Sequence, residues 1–208
     1  MNMHSAGDNM TGEMKDIPYR IILASNSPRR RELLAGLGLE FSIRTIDGID
    51  ESWPGKLKGE DIPLYISRKK AAAYKDLIAS DELVITADTI VYVEGQVLGK
   101  PADENDARRM LKLLSGREHE VITGVTLLTL QRERSFAVTT TVRFCRLMDE
   151  EIDYYIRNYR PMDKAGAYGI QEWIGYVGVE SISGSYFNVV GLPLQRLYRE
   201  LMDFLHQN

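Results

Sequence analysis

Short apolar runs alternate with helical patterns along most of the chain, and turn residues punctuate them. Arg20-Ile21-Ile22-Leu23-Ala24 reads as a buried strand that stops at Ser25-Asn26-Ser27-Pro28. A helix follows, with Ser27 as N-cap, Pro28 as first helical residue, and Leu33, Leu34 and Leu37 as its apolar stripe. Gly36 or Gly38 ends it. Phe41 to Ile46 predicts a second strand, leading to the acidic turn Gly48-Ile49-Asp50-Glu51. From Asp61 to about Ile78 the pattern is helical, with Leu64, Ala71, Ala72, Tyr74 and Leu77 available to a core. Leu83 to Val93 reads as a strand running through Asp88 to a hairpin turn at Glu94-Gly95. Asp103 to Leu114 is helical, with an acidic first turn and Gly116 just past its end.

Two long extended segments, His119 to Leu130 and Arg134 to Leu147, come next, the second rich in β-branched residues. Asp149 to Tyr159 predicts a helix, Asp163 to Gln171 a glycine-containing loop, Tyr176 to Ile182 a strand, and Pro193 to Leu205 a closing helix. Interleaved helices and strands define an α/β class, and the hairpin connections make the sheet mixed. The 208 residues suffice for one domain with a substantial core, at most divided into lobes. Residues 1–17 are polar, lack an apolar signal core, and read as a disordered extension or an alternative start before a single domain at 18–208.

Charge and rare residues narrow the chemistry. With 26 basic and 30 acidic residues, nothing global draws the chain to nucleic acid or an anionic membrane. Any anion must therefore meet a local cluster of donors. One cysteine, Cys145, and no long apolar run suit a reducing cytoplasm. Of three histidines, His4 and His206 sit in the tails and only His119 is internal. A two-histidine zinc site is thereby disfavoured, as is a Ser-His-Asp hydrolase, which also lacks its G-x-S-x-G elbow. Carboxylates, lysine, arginine and a hard metal ion remain.

Ser25-Asn26-Ser27-Pro28-Arg29-Arg30-Arg31 couples a helix N-terminus to hydroxyls and guanidinium groups, a combination suited to phosphate. Alone, the run reads equally well as a solvated helix start. Asp88 lies within an otherwise apolar strand, where a carboxylate is costly without a partner or a task. Asp50-Glu51 has the oxygen chemistry that suits Mg²⁺ or Mn²⁺, although such a pair in a loop is usually just solvated. In Asp163 to Gln171, small residues permit close approach to backbone, and Tyr168 or Gln171 is able to stack on or hydrogen-bond a base.

These pieces recur in a particular order. S-x-S-P-R-R (Ser25 to Arg30), D-E (Asp50-Glu51), R-x-K-A (Arg68 to Ala71), A-D-T (Ala87 to Thr89) and G-K-P (Gly99 to Pro101) come first. L-S-G-x-x-H-x-V-x-T-G-V (Leu114 to Val125), D-K-A-G-A-Y-G-I-Q (Asp163 to Gln171) and N-V-V-G-L-P (Asn188 to Pro193) follow. The set resembles the Maf family of nucleotide pyrophosphatases over about residues 20 to 195. The resemblance implies an elongated mixed sheet flanked by helices, similar to inosine triphosphate pyrophosphatases, with two lobes around a nucleotide cleft. It implies metal-dependent hydrolysis between the α and β phosphates, with Mg²⁺ or Mn²⁺ as cofactor. The D-K-A-G-A-Y-G-I-Q loop is similar to the branch acting on dTTP and UTP.

Carried over by position, Asp88 resembles the catalytic aspartate, acting as general base, metal ligand or both, and Glu51 a metal ligand or its support. Lys100 and Arg30 would neutralise charge at the breaking bridge. Arg29, Thr89 and Gln171 match positions tied to base selectivity, Ser25 and Ser27 would add phosphate donors, and Lys70 is a further phosphate contact. The alternatives are modified pyrimidine triphosphates as substrates, a 7-methyl-GTP pyrophosphatase and a nucleotide-binding regulator of cell division. A small-molecule nucleotide is the expected partner, without nucleic acid or membrane, and a homodimer is left open.

Overall fold

A computed structural model describes residues 17–206. The expected N-terminal extension lies, except for Ile17, outside the described residues. The strands are β1 (Arg20–Leu23), β2 (Phe41–Ile43), β3 (Glu82–Val93), β4 (Gln96–Leu98), β5 (Glu118–Leu128), β6 (Glu133–Phe144) and β7 (Val179–Ser183). The helices are α1 (Pro28–Ala35), α2 (Asp61–Ala72), α3 (Glu104–Leu114), α4 (Asp149–Tyr159), α5 (Trp173–Gly178), α6 (Tyr186–Val190) and α7 (Leu194–His206). The described strands form one sheet in the order β2-β1-β3-β5-β6-β7, with β4 hydrogen-bonded to β3. β1 runs parallel to β2 and β3, and all other pairings are antiparallel, so the expected mixed α/β sheet is present.

Helices cover both faces of β3, which is why it is buried almost throughout. Side chains of a strand alternate between faces. Leu83, Ile85 and Ala87 pack with Leu34 of α1 and with Leu197 and Leu201 of α7. Val84 packs with Ala71 of α2 and with Tyr74 just past its end, and Ile90 with Ile62 and Ile66. The same alternation sends Asp88 toward α2 and Thr89 toward α1. α2 approaches the sheet closely because β5 has Gly124 opposite Asp88. A Cβ there would fall 2.4 Å from the Pro63 carbonyl carbon. Beyond Asp88, Val91 and Val93 enter a separate apolar cluster with α3, α4 and α5, including Leu111, Tyr155 and Ile174.

The caps follow the sequence. Ser27 Oγ accepts from the Arg30 N–H at 3.4 Å, with Pro28 starting α1. The Glu94-Gly95 turn has positive φ at both residues, 49° and 80°, as a tight hairpin requires.

Four details depart from expectation. β2 stops at Ile43 rather than Ile46, because the Arg44 carbonyl accepts from Tyr74 Oη (2.7 Å) and its guanidinium grips both oxygens of Glu82. α2 ends at Ala72, and Ala73, Tyr74 and Lys75 close tighter turns on carbonyls three residues back. The segment expected as a strand from Tyr176 begins as α5 and becomes β7 only at Val179. There Gly175 turns the chain so closely over the Ile170 carbonyl that a Cβ would lie 1.8 Å from its oxygen. α6 is an additional helix, capped by Ser185 Oγ on the Asn188 N–H (3.2 Å) and stopped at Gly191. No helix among the described residues is long and apolar enough to cross a membrane.

Candidate active site

A cleft of about 640 Å³ opens beside the centre of β3. That volume lies within the range of small-molecule sites. Ser25, Ser27, Arg29, Arg30, Glu51, Lys70, Asp88, Thr89, Lys100 and Gln171 all line it, so the ten site residues carried over from the family resemblance meet in one place, whereas Asp50 lies outside the lining and pairs with Lys69.

Asp88 is 8% exposed, and its partner is Lys70. Lys70 follows Ser67 by one helical turn on the face of α2 that meets the sheet, where Ser67 carries the Thr86 and Thr126 hydroxyls. Its Nζ lies 2.8 Å from Asp88 Oδ1 and 2.9 Å from Glu51 Oε1, bridging the two carboxylates. Glu51 reaches in from the loop between β2 and α2. Burial alone would raise its carboxyl pKa, but the Lys70 hydrogen bond and the charges of Lys70, Lys100 and Arg30 bring it below the usual value. Asp88 Oδ2 and Glu51 Oε2 have no hydrogen-bond partner among the described residues. Lys100 projects after β4 and makes no ion pair among the described residues, leaving its charge for the cleft.

The three consecutive arginines diverge, as successive positions on a helix must. Arg29 forms an ion pair with Asp163 at 2.7 Å. Arg30 is clamped inward: Nε donates to the Gly191 carbonyl (2.9 Å), Nη1 to the Ala87 carbonyl (2.8 Å) and Nη2 to Thr89 Oγ1 (3.0 Å). Desolvation lowers its pKa, opposed chiefly by the charge of Asp88. Arg31 does not line the cleft. The expected triple-arginine cluster thus splits into Arg29 and Arg30, both half-buried with different partners, and an exposed Arg31. Thr89 Oγ1 also meets Thr123 Oγ1 at 2.9 Å, so its hydroxyl belongs to a buried chain rather than standing free. The N-V-V-G-L-P motif acquires a purpose here, since its Gly191 holds Arg30. Ser25 Oγ and Ser27 Oγ each accept a backbone N–H, which leaves their hydroxyl hydrogens as the available donors.

Across the cleft, Lys164 lies 2.7 Å from Asp163 Oδ1 and 3.1 Å from Glu172 Oε1. Tyr155 Oη donates to Glu172 Oε2 and accepts from the Gly169 N–H (3.0 Å). Desolvation and the Glu172 carboxylate push the Tyr155 phenol well above its ordinary value. Asp163, despite a desolvation that opposes ionisation, is held at about 2 by hydrogen bonds from Lys164 and Arg29. Sequence reasoning gave no individual role to Asp163, Lys164, Glu172 or Tyr155. Only the alternating charges of Asp163-Lys164 beside a glycine loop hinted at them. His119 lies outside the cleft lining, with Nε2 2.7 Å from Tyr168 Oη, and its burial lowers its pKa to about 4.

Among the described residues, no group of three or more His, Cys, Asp or Glu side chains is poised around a common metal position. The available set is the Asp88–Glu51 pair. Two carboxylates already sharing one cation, each with a free oxygen, fit an ion such as Mg²⁺ that takes one or two protein carboxylates and completes its shell with water and phosphate.

A family model described as Maf-like protein matches residues 20–204. The dTTP/UTP pyrophosphatase of Phocaeicola vulgatus is 64% identical over 183 residues, 88% of this chain and 95% of that protein. The Bacteroides fragilis protein of the same name is 61% identical over the same shares. The Porphyromonas gingivalis one is 50% identical over 192 residues, 91% of this chain and 96% of that protein. Among solved structures, the Ham1 protein of Staphylococcus aureus is 14% identical with a TM-score of 0.47, covering 89% of this chain and 97% of that one. With the family match spanning nearly all described residues, and relatives half or more identical along their length, the chain belongs to the Maf family.

Proposed function

We propose that this protein hydrolyses dTTP and UTP to the nucleoside monophosphate and pyrophosphate. The observation that carries the reading is Asp88, a nearly buried carboxylate facing a nucleotide-sized cleft, one ammonium away from Glu51. The names of the relatives support the same reaction and the same bases.

In this reading Asp88, the general base, takes a proton from water as its oxygen bonds to the α-phosphorus. The bond from that phosphorus to the bridging oxygen breaks, and pyrophosphate leaves with the electron pair. Lys70 and Lys100 offset the negative charge that accumulates on the departing group. Arg30 holds its guanidinium rigidly beneath Asp88 and supplies a fixed positive field. The Ser25 and Ser27 hydroxyls and the start of α1 donate to phosphate oxygens. Asp88 and Glu51 would hold a divalent cation, which when bound adds charge against the triphosphate and favours ionisation of water. Gln171 reads the pyrimidine edge and Thr89 bounds the cavity. The two sides of the cleft act as lobes of a single domain, and one cysteine suits a reducing cytoplasm.

A panel of dTTP, UTP, CTP, GTP and 7-methyl-GTP with Mg²⁺ or Mn²⁺ tests the reading. Pyrophosphate from dTTP and UTP above all others is expected. Turnover confined to 7-methyl-GTP would reverse the base assignment, and binding without release would leave a regulator. Gln171→Ala is expected to lower the ratio of UTP to GTP turnover, and an unchanged ratio removes Gln171 from base reading.

A further inference from the structure

Arg30 is gripped at three points, and two of them lead to one residue. Nη1 rests on the Ala87 carbonyl, within β3 itself. Nε rests on the Gly191 carbonyl and Nη2 on Thr89 Oγ1. Thr89 and Thr123 stand directly opposite each other on β3 and β5, with hydroxyl oxygens 2.9 Å apart. Thr123 Oγ1 donates in turn to the Asn188 carbonyl at 3.3 Å. A hydroxyl has one hydrogen, so Thr123 has committed its own, and Thr89 donates to it. The chain therefore runs one way, from the guanidinium through Thr89 and Thr123 to Asn188. Gly191 meets the same carbonyl, its N–H 3.0 Å from Asn188 O. One peptide oxygen thus sets where two of the three grips stand.

Asn188 lies on α6, a helix of five residues, too short to hold its place by its own hydrogen bonds. Its side chain, fully buried, ties it to the sheet. Nδ2 donates to the Val121 carbonyl at 2.9 Å and to Thr140 Oγ1 at 3.0 Å. Val121 and Thr140 are register partners on β5 and β6, so one amide bridges two strands. Oδ1 has no hydrogen-bond partner among the described residues, and the side chain's anchoring falls on its donor end. A buried amide with an unpaired oxygen is costly, which marks the bonds at its other end as the reason for keeping it.

We infer that Asn188 is a positioning residue for the reaction: through Thr123 and through Gly191 it holds the Arg30 guanidinium in place beside Asp88. The inference rests on the hydrolysis reading above, in which Arg30 supplies a fixed positive field. A guanidinium left with Ala87 alone keeps its charge but pivots about a single contact. Preorganised charge stabilises a transition state only where it is aimed, so pivoting lowers turnover before it lowers binding. A residue that merely staples α6 to the sheet would instead lower stability and leave each folded molecule equally active.

A double-mutant cycle on pyrophosphate release from UTP separates the two, with kcat, KM and thermal unfolding measured for each variant. Thr123→Val deletes the hydroxyl link with little change of shape, and Thr123→Ser retains it. Asn188→Asp replaces the amide donor by an acceptor facing the Val121 carbonyl. Each is made in wild type and in Arg30→Lys, whose single ammonium does not reproduce the fork of the guanidinium. In the wild-type background kcat is expected to fall about tenfold in Thr123→Val and further in Asn188→Asp, with KM within about threefold. Thr123→Ser should stay within about twofold of wild type, a rescue that ties the effect to the hydroxyl. In Arg30→Lys the same substitutions should change kcat by less than about twofold, because the group they position is gone. The Thr123 pair carries the test if Asn188→Asp does not fold. Equal fold losses in both backgrounds, or a kcat unmoved by Thr123→Val, overturn the positioning role and leave the hydrolysis reading standing. An Arg30→Lys enzyme as fast as wild type removes Arg30 from the reaction, and the role of Asn188 with it. Wild type that releases no pyrophosphate from UTP overturns the hydrolysis reading and this assignment together.

Discussion

Two lysines flank the cleft, each held between two carboxylates, and they differ in what the carboxylates do with their second oxygens. Around Lys164 every one is taken: Asp163 Oδ2 by Arg29, and Glu172 Oε2 by Tyr155. Around Lys70, Asp88 Oδ2 and Glu51 Oε2 have no partner among the described residues. The first cluster is electrostatically closed. It fixes geometry, because each acceptor and each charge already has its counterpart. The second is open, with a spare acceptor oxygen on each carboxylate, the condition for taking up a further donor or a cation. Saturation therefore separates scaffold from chemistry where residue type alone does not.

Breaking each cluster at its lysine should separate the two roles. Lys70→Met removes a positive charge from the reacting end, and kcat/KM for UTP should drop by roughly 10³, about 4 kcal/mol, as for loss of a key charge-stabilising group. A steady-state assay checks this, and a drop smaller than tenfold would place Lys70 outside the reaction. Lys164→Met leaves Glu172 partly buried without its cation. Urea unfolding should show a loss of about 3 kcal/mol, greater than the loss in Lys70→Met. The reverse ranking would refute the division.

Acid should act first at His119, outside the cleft lining. His119, almost fully buried, titrates at about 4 in the folded protein against 6.5 ordinarily. Its neutral form favours the fold fully above pH 6.5, and that advantage is lost as pH falls toward 4. The loss is about 2 kcal/mol at pH 5. His119→Phe should flatten unfolding free energy over that interval, and an unchanged slope would assign the acid sensitivity elsewhere. Asp163, held near 2, contributes fully above about pH 4, and its share disappears between about 4 and 2. The smallest effect belongs to Asp163→Asn. Arg29 loses an exposed partner, so KM for UTP should change by less than tenfold with kcat preserved.

Much of this was legible because it is local. Asp88 stands out in a strand of apolar residues, the Ser27-Pro28 cap marks a helix start, and the Glu94-Gly95 turn follows from backbone conformation. The ordered motifs gathered ten residues that do line one cleft. What escaped depends on distant partners. Nothing near Lys70 in sequence says that one helical face will set it between a loop glutamate and a strand aspartate. Arg30 reads as one of three alike, yet pairing with Ala87, Thr89 and Gly191 makes it a half-buried clamp. The α5–β7 boundary was misplaced because Tyr176 and Val177 carry strand-like composition while the Gly175 contact with Ile170, invisible to periodicity, decides the turn. Glu172 sits beside the recognised loop, but its role appears only with Tyr155 and Lys164 around it.

The central claim is that Asp88, in the open cluster, drives hydrolysis of the triphosphate. The measurement closest to it is pyrophosphate release from UTP in ¹⁸O-labelled water, comparing wild type with Asp88→Asn, a nearly isosteric change. Label in the UMP, with release reduced about 10³-fold in a variant that still folds and binds α,β-imido UTP, is the predicted result. Undiminished release by Asp88→Asn would contradict the account.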